Sequence, residues 1–148
     1  MDAEAFDQEL RAGSDRLGRG ELEQAEVHAS RAMQLRPGSL LAQHLLALIS
    51  LRGGQLDRAC ELFDSLVEQN SDLVTLRFNA GVAALVAGRW ERAETHLRRT
   101  VELDSTHRRA FAFLALTHVR SQQPELARAA LVEAELHDLV DEPRLDRI

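Results

Sequence analysis

Six histidines, His28, His44, His96, His107, His118 and His137, and one cysteine, Cys60, are the side chains of this 148-residue chain best suited to hold a metal or attack a substrate. No two of the histidines stand three or four residues apart, the spacing that brings two imidazoles to one face of a helix. His-Glu-x-x-His, glycine-rich phosphate-loop and Gly-x-Ser-x-Gly patterns do not occur in the sequence. Cys60 has no second cysteine for a disulfide or a thiolate zinc site, and beside Ala59 it reads as a small packing residue. Glu21, Glu23, Glu26, Glu91 and Glu94 fall at helix starts and on polar faces, away from any apolar pocket that would raise a carboxyl pKa. All 18 basic residues are arginine and tyrosine is absent, which removes lysine Schiff-base chemistry and tyrosine acid-base chemistry. The sequence therefore predicts no catalysis, no cofactor and no metal. His28, His96 and His107 are expected on solvated faces, and Trp90, in a slot otherwise held by Leu22 and Leu56, is expected to pack.

Charge narrows the partners. The 24 acidic residues outnumber the basic ones for a net charge of -6, a field that repels phosphate backbones and anionic lipid. Nucleic-acid binding and membrane insertion are not expected. The doublets Arg98-Arg99 and Arg108-Arg109 are expected to be offset by Glu94, Glu102 and Asp104. The start Met1-Asp2-Ala3-Glu4 is acidic where a signal peptide would be basic, and no apolar run reaches the roughly 18 residues of a membrane span, so a cytoplasmic protein is expected. An arginine-only basic set also suggests a GC-rich bacterial coding sequence.

The elements that carry these residues repeat every 34 positions. Ala25, Ala59, Ala93 and Ala127 lie at that interval, as do Gly20, Gly54 and Gly88, with Gln122 breaking the series. Small residues recur at Gly13, Ala47, Gly81 and Ala115, where two backbones must approach closely. Leu56, Ala59, Cys60, Phe63, Leu66 and Val67 keep helical spacing, so each unit reads as a helix pair. Glycines end the first helix of a pair, and acidic residues such as Asp57 and Glu91 open the second at the positive end of its dipole. Pro37-Gly38-Ser39, Asn70-Ser71-Asp72 and Asp104-Ser105-Thr106 separate the units with breakers and N-cap residue types, and Pro124 suits the first turn of the last helix. In the fourth unit Leu126 and Ala129 offer a competing register two residues later.

These columns resemble the tetratricopeptide repeat, with Gly13, Gly81, the alanine column, Phe63 and Pro37 as signature matches over about residues 6 to 141. The aromatic usual early in the first helix is replaced by Glu9, Gln43 and Arg77 and kept only as Phe111. The resemblance implies an all-α, right-handed superhelical solenoid in one domain, residues 1–148, with repeats at about 6–39, 40–73, 74–107 and 108–141 and a short tail, 142–148. It also implies a concave groove along the first helices. Helical phase assigns to that groove Leu41, His44 and Leu48, then Phe78, Asn79, Val82 and Val86, then Arg109, Ala112, Phe113, Leu116 and Arg120. Phe78, Val82, Phe113 and Leu116 are the expected anchors, and Asn79, Arg109 and Arg120 the orienting groups, for a protein partner's peptide or helix. Carboxylate-clamp members of the family use Lys and Asn; with no Lys and only Asn70 and Asn79, that function is not supported. Two alternatives accompany the adaptor. Length, acidity and apolar lining also resemble the chaperones of bacterial type III secretion translocators. Self-assembly into a homo-oligomer is the other, through Leu136, Leu139, Val140 and Leu145 or the tail from Asp141 to Ile148.

Overall fold

A computed structural model describes residues 2–133, so His137, Leu136, Leu139, Val140, Leu145 and the tail lie outside the described residues. Eight helices run through them: α1 (Asp2–Gly18), α2 (Leu22–Leu35), α3 (Leu40–Arg52), α4 (Leu56–Gln69), α5 (Val74–Val86), α6 (Trp90–Leu103), α7 (Arg108–Arg120) and α8 (Pro124–Glu133). The chain divides into two compact units, Met1–Gln69 and Asn70–Ile148, each holding two helix pairs.

In the first unit α1 lies against α2, α2 against α3, α3 against α4, and α1 also reaches α3. Small residues make this possible. Ala25, Ala29, Ala32, Ala42 and Ala47 are fully buried, and a Cβ added to Gly13 would come within 2.8 Å of the Leu45 side chain. Leu17, Leu45 and Ile49 fill the middle of the unit with Ala25 and Ala29, and Phe6 closes one end against Ala32 and Ala42. The second unit repeats the arrangement, α5 on α6, α6 on α7, α7 on α8, with α5 reaching α7. Here a Cβ at Gly81 would meet Leu97 Cγ at 2.6 Å, a branch point that has no room to swing away. Leu85, Ala93, Leu97, Ala110, Leu114, Ala115 and Ala127 form its core, and Trp90 packs against it as expected. Ala127 is fully buried while Leu126 is 49% exposed, so the last pair keeps the 34-residue register and the competing one is not used. Buried hydroxyls leave no polar gap: Ser50, Thr100 and Thr117 each donate to the carbonyl four residues back.

Every pair turns in the same way. At the end of the first helix the N–H groups of Glu21, Gln55, Arg89 and Gln123 return to the carbonyls of Arg16, Ser50, Ala84 and His118 at 2.9, 2.9, 2.8 and 2.6 Å. The residue before each of them bonds back as well: Gly20, Gly54, Gly88 and Gln122 donate to Leu17, Leu51, Leu85 and Val119. This is the two-bond Schellman stop, which needs a left-handed residue. Gly20, Gly54 and Gly88 supply it with φ of 77°, 77° and 76°, and Gln122 keeps the conformation at φ 64°. A side chain in that region strains its Cβ against the following carbonyl, at about 1–2 kcal/mol. Gln122→Gly is therefore expected to stabilise the protein by about 1 kcal/mol in urea unfolding, and Gly88→Ala to destabilise it.

Candidate functional site

The expected groove residues fall on α3 in the first unit and on α5 and α7 in the second. On α3, Leu41 is 59% exposed, and half-buried Leu48 leans on the cluster of Leu45 and Ile49. His44 is half-buried with its ring edge-on to Phe63, centroids 5.9 Å apart. Arg52 is exposed, and its guanidinium donates to the Leu17 carbonyl at 3.0 Å, tying α3 to the end of α1.

In the second unit α5 and α7 bring two stripes together. Phe78, Val82 and Val86 recur at every fourth residue of α5, and Arg109, Phe113, Leu116 and Arg120 share one side of α7. Phe78 is not the exposed anchor that phase alone suggested. It is 6% exposed and belongs to the core, because three neighbours cover it. The Phe113 ring meets it edge-on at 5.6 Å, the His107 ring lies at 4.7 Å, and the Arg109 guanidinium sits 5.1 Å above it. Val82, Phe113 and Leu116 are half-buried, each packed on the same core with part of its surface open. Asn79 and Ala112 are half-buried, Val86 is 55% exposed, and Arg109 and Arg120 are exposed. The face is apolar along its middle, with arginine near each end of α7.

The histidines expected in solvent are all employed in structure. His28 Nδ1 lies 2.7 Å from the Glu9 carboxylate, joining α2 to α1, because the pair interface brings those two polar positions together. His96 is buried, its Nδ1 3.3 Å from the Arg77 guanidinium that also donates to the Ser71 carbonyl at 2.8 Å. His107 is the N-cap of α7: the Ala110 N–H donates to its Nδ1 at 3.0 Å, which places the ring proton on Nε2. The register contained this signal, since His107 lies two periods after Ser39, whose hydroxyl accepts from the Ala42 N–H and caps α3. The residue between them in that column, Leu73, caps α5 without a side-chain bond. His118 is buried, with Nδ1 3.1 Å from the Gln123 amide. Cys60 is buried, as its packing role requires.

Of the two arginine doublets, the first is paired. Arg98 pairs with Glu94, and Arg99 reaches Glu102 at 3.1 Å and Asp72 at 2.9 Å, so that doublet is neutralised. Asp104, expected with Glu94 and Glu102 to offset the doublets, accepts from the Thr106 hydroxyl and N–H at 2.6 and 3.0 Å. Those bonds hold its carboxyl below the usual range. Among the described residues no group of His, Cys, Asp and Glu is arranged to hold a metal ion. No described helix is long and apolar enough to cross a membrane.

Helix pairs on a 34-residue period, closed by small residues and left-handed stops, define a tetratricopeptide-repeat protein. The family described as anaphase-promoting complex, cyclosome, subunit 3 matches residues 19–100, more than half of the chain, and the chain belongs to that family. No curated relative matches the sequence. Among solved structures it is similar to PilF of Pseudomonas aeruginosa at 25% identity and a TM-score of 0.80, over 99% of this chain and 63% of that one. MamA from Desulfovibrio magneticus RS-1 has 17% identity and a TM-score of 0.83 over 93% of this chain and 78% of its own. A Thermobaculum terrenum O-GlcNAc transferase mutant has 23% identity and a TM-score of 0.83 over 90% of this chain but 26% of its own. At 17% and 23% identity the likeness shows the fold alone.

Two outcomes test the local chemistry. Replacing the cap, His107→Ala is expected to cost about 1 kcal/mol, with His107→Asn keeping most of the stability, in denaturant titrations. Burial pushes the His44 imidazole below its usual range, so the folded protein favours its neutral form. His44 therefore contributes its full stability above the unfolded value of about 6.5 and loses it as pH falls below that. A urea midpoint that drops from pH 7.5 to 5.5, with a smaller drop in His44→Gln, is the expected result.

Proposed function

We propose that this chain is a non-catalytic, cytoplasmic adaptor that binds a peptide or helix of a partner protein on the α5 and α7 face. The observation that carries the reading is the line of Phe78, Val82 and Val86 beside Phe113 and Leu116, which runs from the core to 55% exposure at Val86. Apolar side chains left partly open along two adjacent helices favour a partner that covers them, with alternate residues as anchors. The repeat class supports the same reading, since stacked helix pairs offer an extended surface and few enclosed pockets. Non-catalysis is supported by the way titratable side chains are spent: His28, His107 and Asp104 serve an interhelix hydrogen bond, a cap and a turn. The single cysteine, Cys60, is in keeping with the cytoplasm.

The test uses the full chain as bait for a display library of random peptides. Wild type is expected to enrich binders, and Val86→Glu and Leu116→Ala to lose at least ten-fold in affinity for them while their circular dichroism is unchanged. Val86 is exposed enough for the charge to be tolerated by the fold. Binders that ignore both substitutions would remove this face from the proposal.

A further inference from the structure

Acidic residues are unevenly placed. About one residue in six of the chain is acidic, so a thirteen-residue helix of average composition would carry about two. α3, α5 and α7, thirteen residues each, carry none. Burial is not the reason, because it excludes both signs of charge, and α5 and α7 retain Arg77, Arg108, Arg109 and Arg120. Arg77 is engaged with Ser71 and His96. Arg109 and Arg120 are exposed, and neither has a carboxylate partner among the described residues, in contrast to Arg98 and Arg99 on α6.

Arg109 also stands where helix electrostatics oppose it. The first turn of a helix favours carboxylates, and α4, α6 and α8 open with Asp57, Glu91 and Glu125, but α7 opens with Arg108 and Arg109. Its guanidinium is held over the Phe78 ring, which fixes the cation beside the apolar stripe. Arg120 follows Arg109 by eleven positions, about 16 Å along the helix, with Phe113 and Leu116 between them.

We propose that the α7 stripe selects a partner segment in which carboxylates flank an apolar centre, the centre covering Phe113 and Leu116 and the carboxylates pairing with Arg109 and Arg120. This rests on the α5 and α7 face being a protein-binding surface and specifies the chemistry of what binds. The 16 Å interval corresponds to about five residues of extended peptide. A nucleic acid fits less well, because its continuous phosphates would meet two cations separated by apolar ground on a chain of net charge -6.

The peptides that wild type enriches from the random library supply the measurement. Their sequences are expected to carry Asp or Glu on both sides of apolar residues. Resynthesised with Gln in place of the acids, they should bind at least about five-fold more weakly in fluorescence anisotropy, and added salt should narrow the gap. An Arg109→Glu/Arg120→Glu variant with unchanged circular dichroism should lose the acidic peptides and prefer their lysine counterparts. Enriched peptides without acidic bias, or equal binding of the Gln forms, overturn the charge inference and leave the apolar face standing. No enriched peptide at all overturns both readings. Displacement of the peptides by oligothymidylate at similar concentration overturns the inference in favour of a nucleic acid.

Discussion

Close approach of two helices within each pair is the constraint on which the rest depends. Ala25, Ala59, Ala93 and Ala127 have no exposed surface, and Gly81 faces Leu97 at a distance that admits no Cβ. Packing at that separation gains dispersion over the whole length of the hairpin and leaves no space for a large side chain in the contact. The large apolar residues of the first helices are consequently displaced to other sides. In the second unit Phe78 turns into the shared core, while Phe113, Leu116 and Val82 end half-covered at its border. The candidate face is in this sense a by-product of how tightly the hairpins close.

The hairpins close because the backbone between their helices is stereotyped. Four times the chain leaves the first helix through a left-handed residue that, with the residue after it, satisfies two orphan carbonyls. Gln122 shows that the tertiary requirement outranks residue preference: with the helices on either side fixed by packing, the backbone takes the left-handed conformation although a side chain resists it. The same hierarchy accounts for Leu73, which stands at a cap position without a capping side chain.

Polar groups follow two patterns. Between α1 and α2 the His28 ring meets the Glu9 carboxylate, and on α6 charges meet opposite charges at the surface: Arg98 with Glu94, Arg99 with Glu102. Such exposed pairs add little stability, roughly 0–1 kcal/mol each, and chiefly arrange the surface. On α7 Arg109 and Arg120 have no such carboxylate among the described residues, and an aromatic ring supports Arg109. A surface that neutralises Arg98 and Arg99 on one helix and leaves Arg109 and Arg120 without carboxylates on the next is arranged for different surroundings on the two sides.

Much of this was legible from residue order alone. The 34-residue period, the paired helices, the left-handed stops at Gly20, Gly54 and Gly88, the packing roles of Trp90 and Cys60, and the tetratricopeptide class all follow from local propensity and from small residues recurring at fixed intervals. Those are short-range signals, written where they act. The fate of Phe78, His96 and the histidine of the His28–Glu9 pair was not legible, because burial and partnership depend on what another helix contributes at that point in space. Helical phase states which side of α5 bears Phe78; only the arrival of Phe113, His107 and Arg109 from α7 and its cap decides that the ring is covered. Sequence determined the hairpins, and tertiary packing decided which of their side chains remain available to a partner.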